Sequence, residues 1–142
     1  MRRFLFIIAA VTFSLACTAE ERPVLFEQLP AAIKTFVQTN YPDAKVSYSF
    51  VDDDIIKPDY SLRLSNGVEL TFSNDGALEK IYSREGVPAG VVPVQIRDYV
   101  AGYYPDTKII EYEVGRRDYD IKLSNGLELK FNRNFRVVEF DD

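Results

Sequence analysis

The chain contains 142 residues, with 17 lysines and arginines against 22 aspartates and glutamates, so its formal net charge is −5. This acidic balance argues against nucleic acid or an anionic membrane surface as a partner. The chain has no histidine and only one cysteine, Cys17. Ser–His and Cys–His catalysis and histidine-based zinc sites are therefore excluded.

Residues 1–19 have the pattern of an export signal. Arg2 and Arg3 precede an apolar run over residues 4–15, which is too short to span a bilayer and is followed by small residues. Two processing routes remain open. Either residues 14–17 form a lipobox and Cys17 becomes a lipidated first residue, or a peptidase cuts after Ala19. Neither product can form an internal disulfide, so residues 20–142 must fold by core burial alone.

A duplication organises the rest of the chain. Residues 60–72 and 119–131 are near copies, and each contains the motif Leu-Ser-Asn-Gly-x-Glu-Leu. Upstream, two matching stretches end in Tyr-Pro-Asp at residues 41–43 and 104–106. A unit of about sixty residues therefore occurs twice, as repeats 26–83 and 91–142. Each half alone would be marginal in size, so we predict that residues 20–142 form a single domain.

Each repeat opens with a predicted helix. Pro30 and Pro93 suit a first helical turn, where no backbone donor is needed. Apolar residues then follow at helical spacing, which predicts one buried stripe on each helix. They are Ile33, Phe36 and Val37 in the first repeat, and Ile96, Tyr99, Val100 and Tyr103 in the second. The Tyr-Pro-Asp segments end both helices, because proline cannot continue the hydrogen-bond ladder.

Four strands follow each helix. Alternation of apolar and polar residues predicts antiparallel strands with one buried and one wet face. They lie near residues 45–51, 60–65, 68–73 and 77–82, and again near 108–114, 119–123, 127–131 and 136–140. The first repeat has four extra residues within 52–59, and residues 84–91 connect the repeats. Residues 133–135 lack the Asn-Asp-Gly found at 74–76, so this turn is predicted to have diverged.

The motif hairpin can be predicted in detail. A two-residue loop at Asn66-Gly67 would place Leu64 opposite Glu69, which pairs a core residue with a surface residue. A three-residue loop instead places Leu64 opposite Val68, and then every apolar side chain lies on one face. This register requires a left-handed glycine at Gly67, and likewise at Gly126.

The α+β pattern of two tandem α-β-β-β-β repeats, with paired Leu-Ser-Asn-Gly-x-Glu-Leu and Tyr-Pro-Asp motifs, resembles the PepSY-like, beta-lactamase-inhibitor-like proteins of Gram-negative bacteria. The resemblance covers residues 26–142. It implies an eight-stranded antiparallel sheet with both helices on one face and the other face open. It also implies an envelope location and no known catalysis. Together with the export signal, it leads us to predict a periplasmic or outer-membrane-associated protein without a cofactor. The inhibitor comparison concerns the fold and carries over no partner.

Because histidine is absent, carboxylates are the remaining candidates for catalysis or metal binding. Residues 52–54 are three consecutive aspartates, but calcium-loop spacing is missing and alternate strand residues point to opposite faces. We therefore predict no metal site. Glu69 and Glu128 recur between the repeats, and cross-strand pairing with Arg63 and Lys122 explains them better than an acid pair does.

The open sheet face is the candidate functional surface. It should bind an envelope protein or peptide without enzymatic activity, in the manner of an inhibitor-like module. Its candidate residues are Tyr48, Phe50, Arg63, Glu69, Thr71, Tyr112, Lys122, Glu128 and Lys130. The alternative is a structural or accessory lipoprotein of an envelope assembly, anchored through a lipid on Cys17 as its sole membrane contact. A third hypothesis is a hydrolase that uses aspartate and glutamate.

Overall fold

The computed structural model describes residues 21–52 and 59–141. It contains two α-helices, α1 (Ala31–Asn40) and α2 (Val94–Tyr103), and short 3-10 turns at Phe26–Gln28 and Ala89–Val91. The strands are β1 (Glu21–Pro23), β2 (Val46–Asp52), β3 (Tyr60–Leu64), β4 (Glu69–Phe72), β5 (Leu78–Tyr82), β6 (Ile109–Val114), β7 (Asp118–Leu123), β8 (Glu128–Asn132) and β9 (Val137–Asp141). No helix within these two ranges has the length and hydrophobicity needed to cross a bilayer.

The nine strands of the described residues form one antiparallel meander in which spatial order equals chain order. The predicted α+β class is correct, but the predicted eight strands are one too few. The additional strand, β1, pairs Glu21 with Asp52 and Pro23 with Phe50. Three residues that include a proline show no apolar alternation, so the sequence did not reveal this strand. Proline is tolerated there because β1 lies at the sheet edge.

Both helices begin and end at equivalent residues. Pro30 and Pro93 immediately precede the helices. At the other end, the Tyr41 N–H donates to the Val37 carbonyl at 2.8 Å, and the Tyr104 N–H donates to Val100 at 2.7 Å. The proline that follows each tyrosine prevents another helical turn.

The predicted three-residue hairpin is confirmed in both repeats. The Leu64 N–H donates to the Val68 carbonyl at 2.9 Å, and the Gly67 N–H donates back to Leu64 at 3.0 Å. Gly67 has a φ of 86° and Gly126 has a φ of 91°, both in the left-handed region. Leu62 therefore lies opposite Leu70, and Tyr60 opposite Phe72.

One row of directly opposed residues crosses the sheet within its core. None of its members is more than 4 % exposed. The row consists of Leu62, Leu70, Ile81, Tyr112, Ile121 and Leu129. The helices reach the sheet through matching edge-to-face ring pairs, Phe36 with Phe72 and Tyr99 with Phe131, each with centroids 5.3 Å apart. A single hydrophobic core therefore spans both repeats.

The turn at residues 132–136 keeps the backbone of its counterpart despite its different sequence. Gly76, with a φ of 85°, is replaced in the second repeat by Phe135, with a φ of 60°. The Gly76 N–H donates to the Ser73 carbonyl at 2.9 Å, and the Phe135 N–H donates to the Asn132 carbonyl at the same distance. A left-handed phenylalanine is strained. Its ring stacks on Tyr119 at 5.4 Å with an interplanar angle of 10°, and this contact offsets part of the strain.

Candidate interaction face

The side of the sheet opposite the core row carries a second pattern of opposed residues, which we call the outer face. Two rows of side chains cross it because directly opposed residues share a face. One row consists of Tyr48, Arg63, Glu69, Tyr82, Glu111, Lys122, Glu128 and Asp141, and the other of Phe50, Ser61, Thr71, Lys80, Glu113, Asp120, Lys130 and Glu139. Each repeat contributes eight of these positions.

Eight of the nine candidate residues lie on this face, and Tyr112 does not. Tyr112 is 4 % exposed and lies opposite Ile81 and Ile121 in the core row. Its assignment to the binding surface was therefore wrong. Burial raises the pKa of its hydroxyl to about 12. The flanking Glu111 and Glu113 were the signal that could have placed Tyr112 in the core, because strand residues alternate between faces.

The recurring glutamates form the expected cross-strand pairs. Arg63 Nη1 lies 3.7 Å from Glu69 Oε1, and Lys122 Nζ lies 3.5 Å from Glu128 Oε1. All four side chains are at least 40 % exposed, so each pair is well solvated. The duplication of these glutamates is thus explained by sheet structure and not by an acid pair.

An aromatic pair distinguishes the first repeat. Tyr48 and Phe50 lie two residues apart on β2, with ring centroids 5.4 Å apart, and Tyr48 is 45 % exposed. Arg63 Nη1 donates to the Tyr48 hydroxyl at 3.4 Å. With Ser61, Thr71 and neighbouring residues, the rings line a shallow depression of about 520 Å³.

The residue between the two rings explains why they point outward. Ser49 is buried, and its hydroxyl donates to the Val24 carbonyl just beyond β1. This bond satisfies a polar group that would be costly to bury alone. Because Ser49 faces inward, Tyr48 and Phe50 must face outward. The sequence could not reveal this arrangement, since it depends on the unrecognised strand β1.

The equivalent positions in the second repeat are acidic. A constant offset of 63 residues aligns Tyr48 with Glu111 and Phe50 with Glu113. Lys80 bridges the two glutamates, with its Nζ 2.9 Å from Glu111 Oε1 and 3.9 Å from Glu113 Oε2. The hydrogen bond to Glu111 is the main reason that the pKa of Lys80 is raised. The two repeats thus present different chemistry on the same backbone.

Negative charge continues toward the last strand. Lys130 Nζ lies 3.4 Å from Glu139 and 3.8 Å from Asp120. Burial raises the pKa of Asp120; Asp118, Glu113 and Glu139 raise it further, and Lys130 opposes the rise. The eight outer-face positions of the first repeat include two cations and one carboxylate, against two cations and six carboxylates in the second. The outer face therefore has an aromatic half, from the first repeat, and an acidic half, from the second.

Within residues 21–52 and 59–141, no group of three or more aspartate or glutamate side chains is placed to hold a metal ion. Asp53 and Asp54, considered as calcium ligands, and Cys17, considered for lipidation, lie outside the described residues.

The fold and its two-part outer face define a tandem-repeat α+β protein in which a meander sheet packs against two helices. The profile of a family described as "Putative beta-lactamase-inhibitor-like, PepSY-like" matches residues 17–80 and again residues 81–139. The chain belongs to this family, as the duplicated motifs indicated. No curated protein matches the chain.

Solved structures agree with this assignment. A "putative periplasmic protein" of the DUF2874 family from Bacteroides vulgatus is 36 % identical with a TM-score of 0.83, covering 87 % of this chain and 98 % of its own. A "putative calcium-regulated periplasmic protein" from Bacteroides thetaiotaomicron is 30 % identical with a TM-score of 0.82, covering 86 % and 97 %. A third, from B. vulgatus and "of unknown function", is 25 % identical with a TM-score of 0.81, covering 87 % and 100 %.

Proposed function

We propose that this protein is a non-enzymatic protein of the bacterial envelope that binds a protein or peptide through the aromatic half of its outer face. The observation that carries the proposal is the outward-facing Tyr48–Phe50 pair, in which Tyr48 is exposed and Phe50 is half-buried. The pair stands where the second repeat has Glu111 and Glu113. The proposal includes no cofactor.

The duplication supplies an internal control for this reasoning. The same strand register accepts two glutamates in β6, so the sheet itself does not require aromatic side chains at these positions. Aromatic rings on a wet sheet face lower solubility, so their presence here indicates a role other than stabilising the sheet. Tyrosine and arginine are also, together with tryptophan, the residue types enriched among binding hot spots. Tyr48 and Arg63 are in contact here, so they can form one anchor.

The proposed location rests on two supports. Residues 1–19 have the export pattern, and three structural relatives are described as periplasmic. A lipid on Cys17 would tether the binding module to a membrane face. Processing after Ala19 would release it into the periplasm.

A capture experiment with paired variants tests the function. The double variant Tyr48→Glu/Phe50→Glu gives β2 the side chains that β6 already carries, so folding should be retained. Capture of the envelope partner from extract should fall about tenfold or more, the loss typical of hot-spot removal. The matched control, Glu111→Gln/Glu113→Gln, should capture the partner as the unmodified protein does.

A second pair of variants separates the two halves by charge. Arg63→Glu should weaken capture because Arg63 contacts Tyr48. Lys122→Glu changes the equivalent residue of the acidic half and should weaken capture less. If folded Tyr48→Glu/Phe50→Glu captures the partner as well as the unmodified protein does, the aromatic half is not the binding site.

A further inference from the structure

The two edges of the sheet are unlike each other. Strand β1 has three residues and contains Pro23, which cannot donate to an added strand. Strand β9 has five residues and no proline, and two of its large apolar side chains are exposed, Val138 at 57 % and Phe140 at 58 %. A longer edge of this kind accepts an added strand.

The first repeat shows what such a strand would do. Strand β5 is the counterpart of β9, and a constant offset of 59 residues aligns Ile81 with Phe140. Ile81 lies opposite Tyr112 of the neighbouring strand β6 and is fully buried. Within residues 21–52 and 59–141, no strand lies beside β9 in the place that β6 takes beside β5. The exposure of Phe140 thus follows from an empty position in an otherwise repeated arrangement.

The charges beside this position specify what fits there. Lys80 and Tyr82 of β5 face the glutamates of β6, whereas their counterparts on β9 are Glu139 and Asp141. The neighbouring strand β8 adds Glu128 opposite Asp141. Lys130, the cation beside Glu139, is already shared with Asp120. Basic side chains at the two outward positions of an added strand would therefore meet excess negative charge.

A second copy of this chain is a poorer occupant. Antiparallel pairing of two β9 strands would bring the carboxylates of Glu139 and Asp141 together from both copies, and like charges across strands are destabilising. Pairing of β9 with a second copy's β1 would bring in Glu21 and the missing N–H of Pro23.

We propose that β9 binds an extended basic segment of another protein, which adds antiparallel to the sheet as a further strand. Lysine or arginine of that segment lies opposite Glu139 and Asp141, and an apolar residue between them lies opposite Phe140. The main-chain hydrogen bonds supply affinity, and the alternation of basic and apolar side chains supplies specificity. This edge is separate from the aromatic half, so either site can fail in an experiment without the other.

A synthetic peptide tests the proposal. The probe is an acetylated, amidated peptide that alternates lysine and valine over seven residues. A control of the same composition places the lysines and valines in separate blocks. A second control keeps the alternation but carries N-methyl groups on the amides that would pair with β9. Titrations at low ionic strength, followed by backbone amide NMR, give the affinities and locate the contact.

The alternating peptide should shift the β9 amides and bind about tenfold or more tightly than either control, since it alone offers both charge and backbone pairing. Glu139→Lys/Asp141→Lys should reverse the preference in favour of a peptide that alternates glutamate and valine. The matched variant Glu111→Lys/Glu113→Lys, with the same change of charge in the sheet interior, should retain the preference for lysine.

Three results would overturn the proposal. The first is equal affinity for the alternating, blocked and N-methylated peptides. The second is an affinity unchanged by Glu139→Lys/Asp141→Lys. The third is concentration-dependent self-association of the unmodified protein that this variant abolishes, which would assign β9 to a second copy of the chain.

Discussion

At three glycines with positive φ, replacement by alanine should lower the free energy of unfolding by different amounts. The structure indicates the size of each loss. At Gly67 and Gly126, an added Cβ would meet no heavy atom within 4 Å. Only the left-handed backbone then opposes alanine, at a cost of about 1 kcal/mol at each position. At Gly76, the added Cβ would lie 2.8 Å from the Ala32 Cβ in the first turn of α1. Overpacking adds about 1–3 kcal/mol to the same backbone cost.

Thermal and urea denaturation of the three single variants measures these differences. For a domain of this size, about 1 kcal/mol corresponds to roughly 4 °C in the melting temperature. The melting temperatures of Gly67→Ala and Gly126→Ala should therefore fall by the same amount, and that of Gly76→Ala should fall about twice as far or more. The added Ala32→Gly substitution should be less costly in the Gly76→Ala background than in the unmodified protein, because it removes the clash.

Two outcomes would contradict these expected losses of stability. If Gly76→Ala is no more destabilising than Gly67→Ala, the approach of α1 to the turn does not limit the site. If Gly67→Ala and Gly126→Ala lower the free energy of unfolding by amounts that differ by more than a factor of two, the two hairpins are not equivalent.

Packing, pH and processing give further expected outcomes. In urea denaturation, Phe135→Ala should be more destabilising than Phe135→Gly by about 1 kcal/mol, because both lose the ring but only glycine adopts the positive φ without strain. If Phe135→Gly is the more destabilising of the two, the backbone at this position is not strained. Tyr112→Ala should destabilise by roughly 3–5 kcal/mol as a buried ring, whereas Tyr48→Ala should cost less than about 1 kcal/mol, and equal losses would place both rings in the core. The raised pKa of Tyr112 means that stability present below pH 10 is lost as pH rises toward about 12; Tyr112→Phe should flatten that part of the urea-midpoint profile, and an unchanged slope would assign it to other groups. Intact-mass measurement of the native protein should find a first residue of Cys17 with lipid or Glu20, and a mass that includes residues 1–16 would refute export.

The hairpin register could be predicted because burial decides between two alternatives. A shift by one residue would have moved Leu64 opposite Glu69, and the structure has Arg63 in that place instead. The helix ends were predictable for a similar reason, since proline at positions 42 and 105 leaves no way to continue the ladder. In both cases a local rule and the tertiary packing agree.

Features that depend on distant residues were not predictable. Strand β1 is recognised only through its pairing with β2, and its neighbour Val24 supplies the acceptor that lets Ser49 face inward. Phe135 adopts a glycine conformation because the surrounding turn and the Tyr119 ring hold it there. A phenylalanine has no local preference for positive φ, so the sequence alone suggested divergence of this turn.

The candidate face was predicted as a surface, but its division into two halves was not. Alternation identified Arg63, Glu69, Lys122 and Glu128 as outward residues. The contrast between the aromatic and acidic halves depends on the exact pairing of repeats along β2 and β6. Both strands have a register irregularity near their first residues, and an extra residue of this kind obscures alternation in sequence.

Hydrogen-exchange protection in the complex with the captured partner shows which strands form the binding surface. If the aromatic half is the binding surface, partner-dependent protection should appear in β2, β3 and β4, while β7 and β8 should exchange as they do in the free protein. Protection confined to the acidic half or to the helices, with β2–β4 unchanged, would contradict the proposed function.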